Sequence, residues 1–472
     1  MGARMLTIQD RGFARDCRGP SRREFLRVGS LGLGLSGLTL PGLLAARERA
    51  GESSGTPQKA VVLLFLQGGP SQHETWDPKP EAPKEYRTHT DCIPTAHPGV
   101  QFCRYFPKLA AMAKDLTVLR NFASGNGGHT YEAVTTGGNV TKASLSAAYA
   151  HLGTTVTPDG LPSNVLLLPE AVQEGLKLGS NFETTALPTL TQTGTLGPQF
   201  EAFNPSGGSQ LRQAMTLTMP REQFDDRRQL LAGFDAVRRS ADRDGALARA
   251  DKYQQQAFDI ITGSTNPFDL SKEDPKTLAM YDTSGLFKLE EATKWFDMKR
   301  ASNLLGKQML LARRLCEAGC GFVTVSDCGW DMHANNNSPK NMEGLKWLAP
   351  QVDHAVAAFL EDVKQRGLSD KVLLVVTGEM GRSPRLNGNG GREHHGDLTP
   401  LLIAGGGLKM GQIIGKSDAL GAKPASQAYK PAHLFATVLN FLFDVPQLRL
   451  RPLLNANLLA AIDSTKGIRE LF

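Results

Sequence analysis

Lys59-Ala60-Val61-Val62-Leu63-Leu64-Phe65-Leu66 is an apolar run that stops at Gly68-Gly69-Pro70. A strand wetted on one face alternates apolar and polar residues. This run does not alternate, so it predicts a parallel strand covered on both faces. The same look recurs at 116–122, 163–168, 321–326, 371–377 and 400–404. Amphipathic helical stretches lie between these runs, notably 309–318 and 348–366. Short buried strands alternating with helices predict an α/β fold, a mostly parallel central sheet flanked by helices. From about 215 to 307 the chain turns helical and charged, with Asp225-Asp226-Arg227-Arg228 and Arg238-Arg239. That stretch reads as a helical insertion packed on the sheet, its charge runs being solvated faces.

In open α/β sheets, ligands bind at the carboxyl ends of the strands, so the polar residues after each run matter most. The first strand is followed by Gln67, Ser71, His73, Glu74 and Asp77, and the second by Ser124 to Thr130 with His129. The 321–326 run leads to Asp327, Asp331 and His333, and the 371–377 run to Glu379, Met380 and Arg382. A flexible loop rich in Gly and Asn then delivers Arg392-Glu393-His394-His395 before the last strand. Five of the ten histidines (73, 129, 333, 394 and 395) fall in these loops. Imidazole nitrogen and carboxylate oxygen converging at one sheet edge suit a divalent metal, which would activate water or polarise a phosphoryl oxygen. Taken singly, each residue reads equally well as a turn or capping group.

The amino terminus reads as an address. Ser21-Arg22-Arg23-Glu24-Phe25-Leu26 fits the twin-arginine pattern S-R-R-x-F-L, and an uncharged Gly-diluted run from Val28 to Ala46 follows. Residues 1–46 are therefore expected to be a signal peptide, 47–58 a polar linker, and 59–472 the α/β domain, exported to the periplasm or beyond. Membrane attachment is expected only if that segment is retained. Net charge is +6, but residues 1–46 hold seven arginines against Asp10, Asp16 and Glu24. The remainder is nearly neutral and shows no basic stripe, which excludes a nucleic-acid binder. At 40% hydrophobic and 21% charged residues over 472 positions, the chain buries a large core and is not disordered. Cys92 and Cys103 flank a Pro/His-rich loop and are able to pair in an oxidising compartment. Cys316 and Cys320, one helical turn apart, read as buried free thiols. With no C-x-x-C, a zinc finger or thioredoxin-type site has no support.

Several stretches resemble the secreted bacterial family named for its DUF1501 domain, a branch of the alkaline phosphatase and sulfatase superfamily. They are Leu66-Gln-Gly-Gly-Pro-Ser-Gln72, Thr75 to Pro80, Asn266 to Glu273, Leu311 to Gly319, Gly329-Trp-Asp-Met-His333, Gly378-Glu-Met-Gly-Arg-Ser-Pro384, Gly391-Arg-Glu-His-His-Gly396 and Gly405 to Gly411. The resemblance implies an alkaline-phosphatase-like fold with one metal held by Asp331, His333 and His394 or His395. It implies a nucleophile slot within Gly127-Gly-His-Thr130, where Thr130 is the only hydroxyl. The second metal of such enzymes takes carboxylates and a histidine where this chain has Gln67, Glu379 and Met380. One metal half is thus retained and the other altered. At most one tightly held ion is expected, with Glu379 orienting a histidine or a water instead of ligating.

Two readings follow. In the first, a divalent metal, zinc or else manganese or calcium, serves hydrolysis of a small anionic ester or of a sulfated or phosphorylated polymer. Asp331, His333 and His394 hold the ion. Arg382 or Arg392 neutralises the anion, Thr130 or water attacks, and His129 or His395 acts as acid or base. In the second, the chain keeps the fold without catalysis, as an extracytoplasmic binding or assembly protein.

Overall fold

A computed structural model describes residues 59–157, 161–173, 175–206, 267–451 and 454–472. The expected signal peptide, the linker and residues 215–266 of the expected insertion lie outside them. Seven strands form the central sheet: β1 (Ala60–Leu66), β4 (Leu116–Leu119), β5 (Asn164–Leu167), β6 (Phe322–Asp327), β7 (Val372–Thr377), β10 (Leu401–Gly405) and β11 (Gln412–Ile414). Two antiparallel ribbons lie outside it, β2 (Cys92–Pro94) with β3 (Gln101–Cys103), and β8 (Gly381–Leu386) with β9 (Arg392–His395).

The order is β11-β4-β10-β7-β1-β6-β5. β1 pairs in parallel with β6 and β7, β5 with β6, and β11 with β4, while β10 runs antiparallel between β7 and β4. The sheet is mostly parallel, as the apolar runs require. Alternation along β1 sends Val62, Leu64 and Leu66 to one core layer, with helices Leu305–Glu317 and Leu345–Gln365. Val61, Leu63 and Phe65 go to the other layer, with helices Leu145–Leu152 and Pro431–Leu442. Both faces are covered, which is why the strand reads as one apolar block. Among the described residues no helix is long and apolar enough to cross a membrane. Within the described part of the expected insertion, 267–307, the helices are short: Pro275–Tyr281, Leu289–Thr293 and the start of Leu305–Glu317.

β10 and the β8–β9 ribbon place the site. Because β10 is antiparallel, it starts at the edge where β7 ends, with Leu401 opposite Thr377. The chain entering β10 therefore meets the loops leaving β1, β4, β6 and β7. The expected flexible loop before β10 is corrected here. It is a paired ribbon with Arg382 opposite His394 and Leu386 opposite Arg392. Its turn, Asn387-Gly388-Asn389-Gly390-Gly391, has hairpin chemistry, so Gly and Asn there mark a turn and not mobility.

Candidate metal centre

The loop after β6 carries Asp331, buried against the loop after β1. Gly68, at φ +108°, makes that approach: a β-carbon there would stand 2.5 Å from the Asp331 nitrogen. Gly391 does the same under β9, where a β-carbon would collide with the His333 carbonyl. These two glycines seat the ribbon and the β6 loop against each other.

Three imidazoles surround the Asp331 carboxylate. His333 Nε2 lies 3.0 Å and His394 Nε2 3.5 Å from Oδ1, and His129 Nε2 lies 3.6 Å from Oδ2. The His333 and His394 Nε2 atoms are 2.9 Å apart. Ligand atoms of His129, Asp331 and His394 all lie within 4.8 Å of one another. Four ligands about 2.1 Å from one ion at tetrahedral angles stand roughly 3.4 Å apart, and the observed separations bracket that value.

The other ring nitrogens are held from behind. His129 Nδ1 donates to Glu379 Oε1 at 2.9 Å, and His394 Nδ1 donates to the Gly127 carbonyl at 3.1 Å. His333 Nδ1 stands 2.7 Å from Glu393 Oε2, in ion-pairing reach though not aligned for a straight hydrogen bond. A carbonyl only accepts, so the His394 proton is on Nδ1, and the Glu379 carboxylate fixes His129 the same way. In neutral His129 and His394 the Nε2 lone pairs then face Asp331, and that of His394 also faces His333. Without a cation, the 2.9 Å contact needs a proton on one Nε2, which the Nε2–H tautomer of His333 supplies. That donor set, each imidazole backed by an acceptor, is what a divalent cation requires.

Electrostatics agree with this. Burial disfavours the Asp331 charge, but the Arg382 guanidinium and bonds from His129, His333 and His394 hold its carboxyl far below the usual range. Burial also opposes protonation of His129, yet its bonds to Asp331 and Glu379 outweigh that and raise it to about 9. Phe182 stacks on His129 with centroids 3.9 Å apart and fixes its plane. Asp297 is buried next to this charge and pushed up to about 6, by desolvation first and Asp331 second.

Of the residues expected from sequence, Asp331, His333, His394, His129 and Glu379 come together. Glu379 is the acceptor behind a histidine, its Oε1 also taking the Gly68 N–H at 3.0 Å. His395 does not join them: successive strand residues face opposite sides, and its ring bonds the Ala422 carbonyl. Thr130 is exposed, and its hydroxyl donates to Asn126 Oδ1 at 2.8 Å instead of to an imidazole. Neither arginine presents an open face to an anion. Arg382 is buried and bonds the Gly68, Gly69 and Arg392 carbonyls and Asp331. Arg392 is fully buried on Glu74 and on the carbonyls of Tyr86, Arg87, Ser383 and Pro384. In the altered half, Gln67 Oε1 and Glu379 Oε2 are buried with no hydrogen-bond partner among the described residues. Met380 packs under Gly69. Sequence reading gave no role to Glu393, Phe182 or Asp297. Only Glu393, inside the Glu-His-His run, carried a local signal.

Solved structures similar to this chain include the PsFucS1 sulfatase from Pseudoalteromonas sp. (13% identity, 91% of this chain and 73% of that one, TM-score 0.31). Another is the phosphonate monoester hydrolase SpPMH from Silicibacter pomeroyi (12%, 81% and 73%, 0.27). A third is the alkaline phosphatase from the Antarctic bacterium TAB5 (12%, 82% and 99%, 0.29). No curated protein matches the chain. The family described as "Protein of unknown function (DUF1501)" matches residues 58–450. That span contains every side chain of the centre, and the chain belongs to the DUF1501 family.

Proposed function

We propose that this protein is a metal-dependent hydrolase of phosphate or sulfate esters, exported by the twin-arginine pathway. The observation that carries the reading is the convergence of three Nε2 atoms on the Asp331 carboxylate, with their Nδ1 atoms against Glu379, Gly127 and Glu393. Asp331, His333 and His394 would hold the ion, zinc being best matched to three N/O donors, with manganese and calcium as alternatives. When bound, such an ion supplies Lewis-acid polarisation of an ester oxygen and makes water a better nucleophile.

The chain's own residues supply the rest. Asp331 stays ionised because Arg382 locks it, so Arg382 acts as a positioning residue. Gly127 keeps the His394 ring turned lone-pair inward, and Glu393 stands in ion-pairing reach of His333 Nδ1. His129, backed by Glu379 and braced by Phe182, holds a proton near neutral pH and is placed to return it to a leaving oxygen. Attack falls to water, the Thr130 hydroxyl being engaged with Asn126 Oδ1. Gln67 and Met380 offer an amide and a thioether where a second ion needs carboxylate and imidazole, so one tightly held ion per chain is expected.

The test is turnover of aryl phosphate and aryl sulfate esters by the zinc-loaded protein, repeated after chelation and with His394→Ala. Hydrolysis of at least one ester, abolished by both changes, is expected. A loaded wild-type centre that turns over neither class contradicts the reading.

A further inference from the structure

Cys92 and Cys103 sit directly opposite each other in the β2–β3 ribbon. The ladder hydrogen bonds run from Arg104 N to Asp91 O at 2.8 Å and from Thr95 N to Val100 O at 2.9 Å. Bonded pairs alternate along an antiparallel ladder, so 91/104, 93/102 and 95/100 are bonded and 92/103 is a non-bonded pair. Cys103 N instead donates outward, to Thr75 O at 2.9 Å. In a non-bonded pair the Cα atoms approach to about 4.5 Å and the side chains are closest. A disulfide accepts Cα separations of about 4.4–6.8 Å. Cys103 is buried and Cys92 half-buried. The Cys103 sulfur lies 2.8 Å from Thr90 Oγ1, in the turn that leads into Cys92.

We propose that Cys92 and Cys103 form a cross-strand disulfide that clasps the turn 88–91 to the loop after β1. That turn abuts the Glu74–Arg392 clamp. His89 N donates to Glu74 Oε1 at 3.0 Å, and Glu74 holds Arg392 at 3.0 and 3.1 Å. Arg392 begins β9, the strand that presents His394.

The oxidant is a small-molecule disulfide or a disulfide-bearing oxidoreductase. The Cys92 thiolate, the more accessible, attacks one oxidant sulfur and expels the other as a thiolate. The Cys103 thiolate then attacks the Cys92 sulfur and expels the second. Two protein thiols are oxidised, one oxidant disulfide is reduced to two thiols, and the protons lost by the cysteines pass to the leaving thiolates. Burial raises both protein thiols, Cys103 to about 12. Thiolate is therefore scarce at neutral pH, and oxidation is slow unless an oxidoreductase assists.

The experiment incubates the purified full-length protein with oxidised glutathione, with and without a disulfide oxidoreductase, beside Cys92→Ser. That substitution touches neither the metal centre nor a fully buried position, so the variant folds. Free thiols are counted after denaturation, cross-linked peptides are mapped by mass spectrometry, and melting is followed with and without dithiothreitol. Two thiols should disappear from wild type, the cross-linked peptide should join 92 to 103, and the melting temperature should rise by about 5 °C, reversibly. Exchange of the His89 amide should slow in the oxidised form, and Cys92→Ser should show none of these changes. An unchanged thiol count, a glutathione adduct left on Cys92, a cross-link through another cysteine, or a 92–103 cross-link without the melting shift would each overturn the proposal. None of these readouts depends on ester turnover.

Discussion

Glu74 with His73 and Arg392, and Asp331 with its three histidines and Arg382, are two polar clusters drawn from neighbouring loops at one sheet edge. Both join carboxylate, imidazole and guanidinium, and both are largely buried, yet their balance differs. Around Glu74 the carboxylate and the Arg392 guanidinium are fully partnered, while His73 Nδ1 is buried without a hydrogen-bond partner among the described residues. Arg392 is spent on Glu74 and four carbonyls, and Glu74 accepts from Ser71, His89 and Arg392. His73 is driven neutral, to about 4, by burial and by the Arg392 charge. Around Asp331 three ring Nε2 atoms crowd one carboxylate, and bonds to Asp331 and Glu379 raise His129 to about 9. The same residue types make a structural clamp in one place and a set of three imidazoles converging on a carboxylate in the other. Arrangement separates them, and composition does not.

The largest expected effect breaks the clamp. Glu74→Gln keeps the shape but leaves the Arg392 charge buried without its carboxylate, so unfolding in urea should show a loss of about 3–5 kcal/mol. A loss under 1 kcal/mol would mean the clamp is not the structural member described. Metal content per folded molecule should stay unchanged.

Acid probes the same side of the comparison. His73 has a folded-state pKa near 4 against 6.5 for the free side chain, so the folded chain binds fewer protons than the unfolded one in that interval. Its contribution is complete above pH 6.5 and fades as pH falls toward 4, amounting to about 3 kcal/mol. Denaturant midpoints at pH 7 and 4.5 should converge more in His73→Gln than in wild type. Equal pH losses in the two proteins would remove the role given to this ring.

On the other side, a cation should stabilise the fold by mass action, ~2.7 kcal/mol at a hundredfold excess over its dissociation constant. Thermal scans with added zinc should show that gain in wild type and not in His394→Ala. Binding should also weaken as pH drops, because protons compete for the same Nε2 atoms. The smallest effect concerns the acceptor behind a ligand: Glu393→Gln should cost about tenfold in zinc affinity, measured by competition with a chromogenic chelator. An unchanged affinity would detach Glu393 from the centre.

The sequence made the sheet legible because strands covered on both faces are written as apolar blocks, and all six such runs are strands. The two ribbons were opaque: three to six residues, partly exposed, with Gly and Asn between them, read as loops until pairing is seen. The rule of strand ends pointed to the residues after β4, β6 and β7 that gather around Asp331. The choice between His394 and His395 rests on ribbon register, which one sequence does not carry. Arg382 and Arg392 misled for a related reason, since an arginine in a loop reads alike whether it faces solvent or four carbonyls. Phe182 and Asp297 reach the centre from segments with no motif around them.

Counting metal tests most directly whether the Asp331 cluster takes one cation. Wild-type protein and His394→Ala, each equilibrated with zinc and freed of excess, should be analysed by inductively coupled plasma mass spectrometry alongside Arg392→Met as a clamp variant. One ion per chain in wild type and in folded Arg392→Met, with none in His394→Ala, is the predicted result. No ion in wild type, or an equal count in His394→Ala, would contradict it.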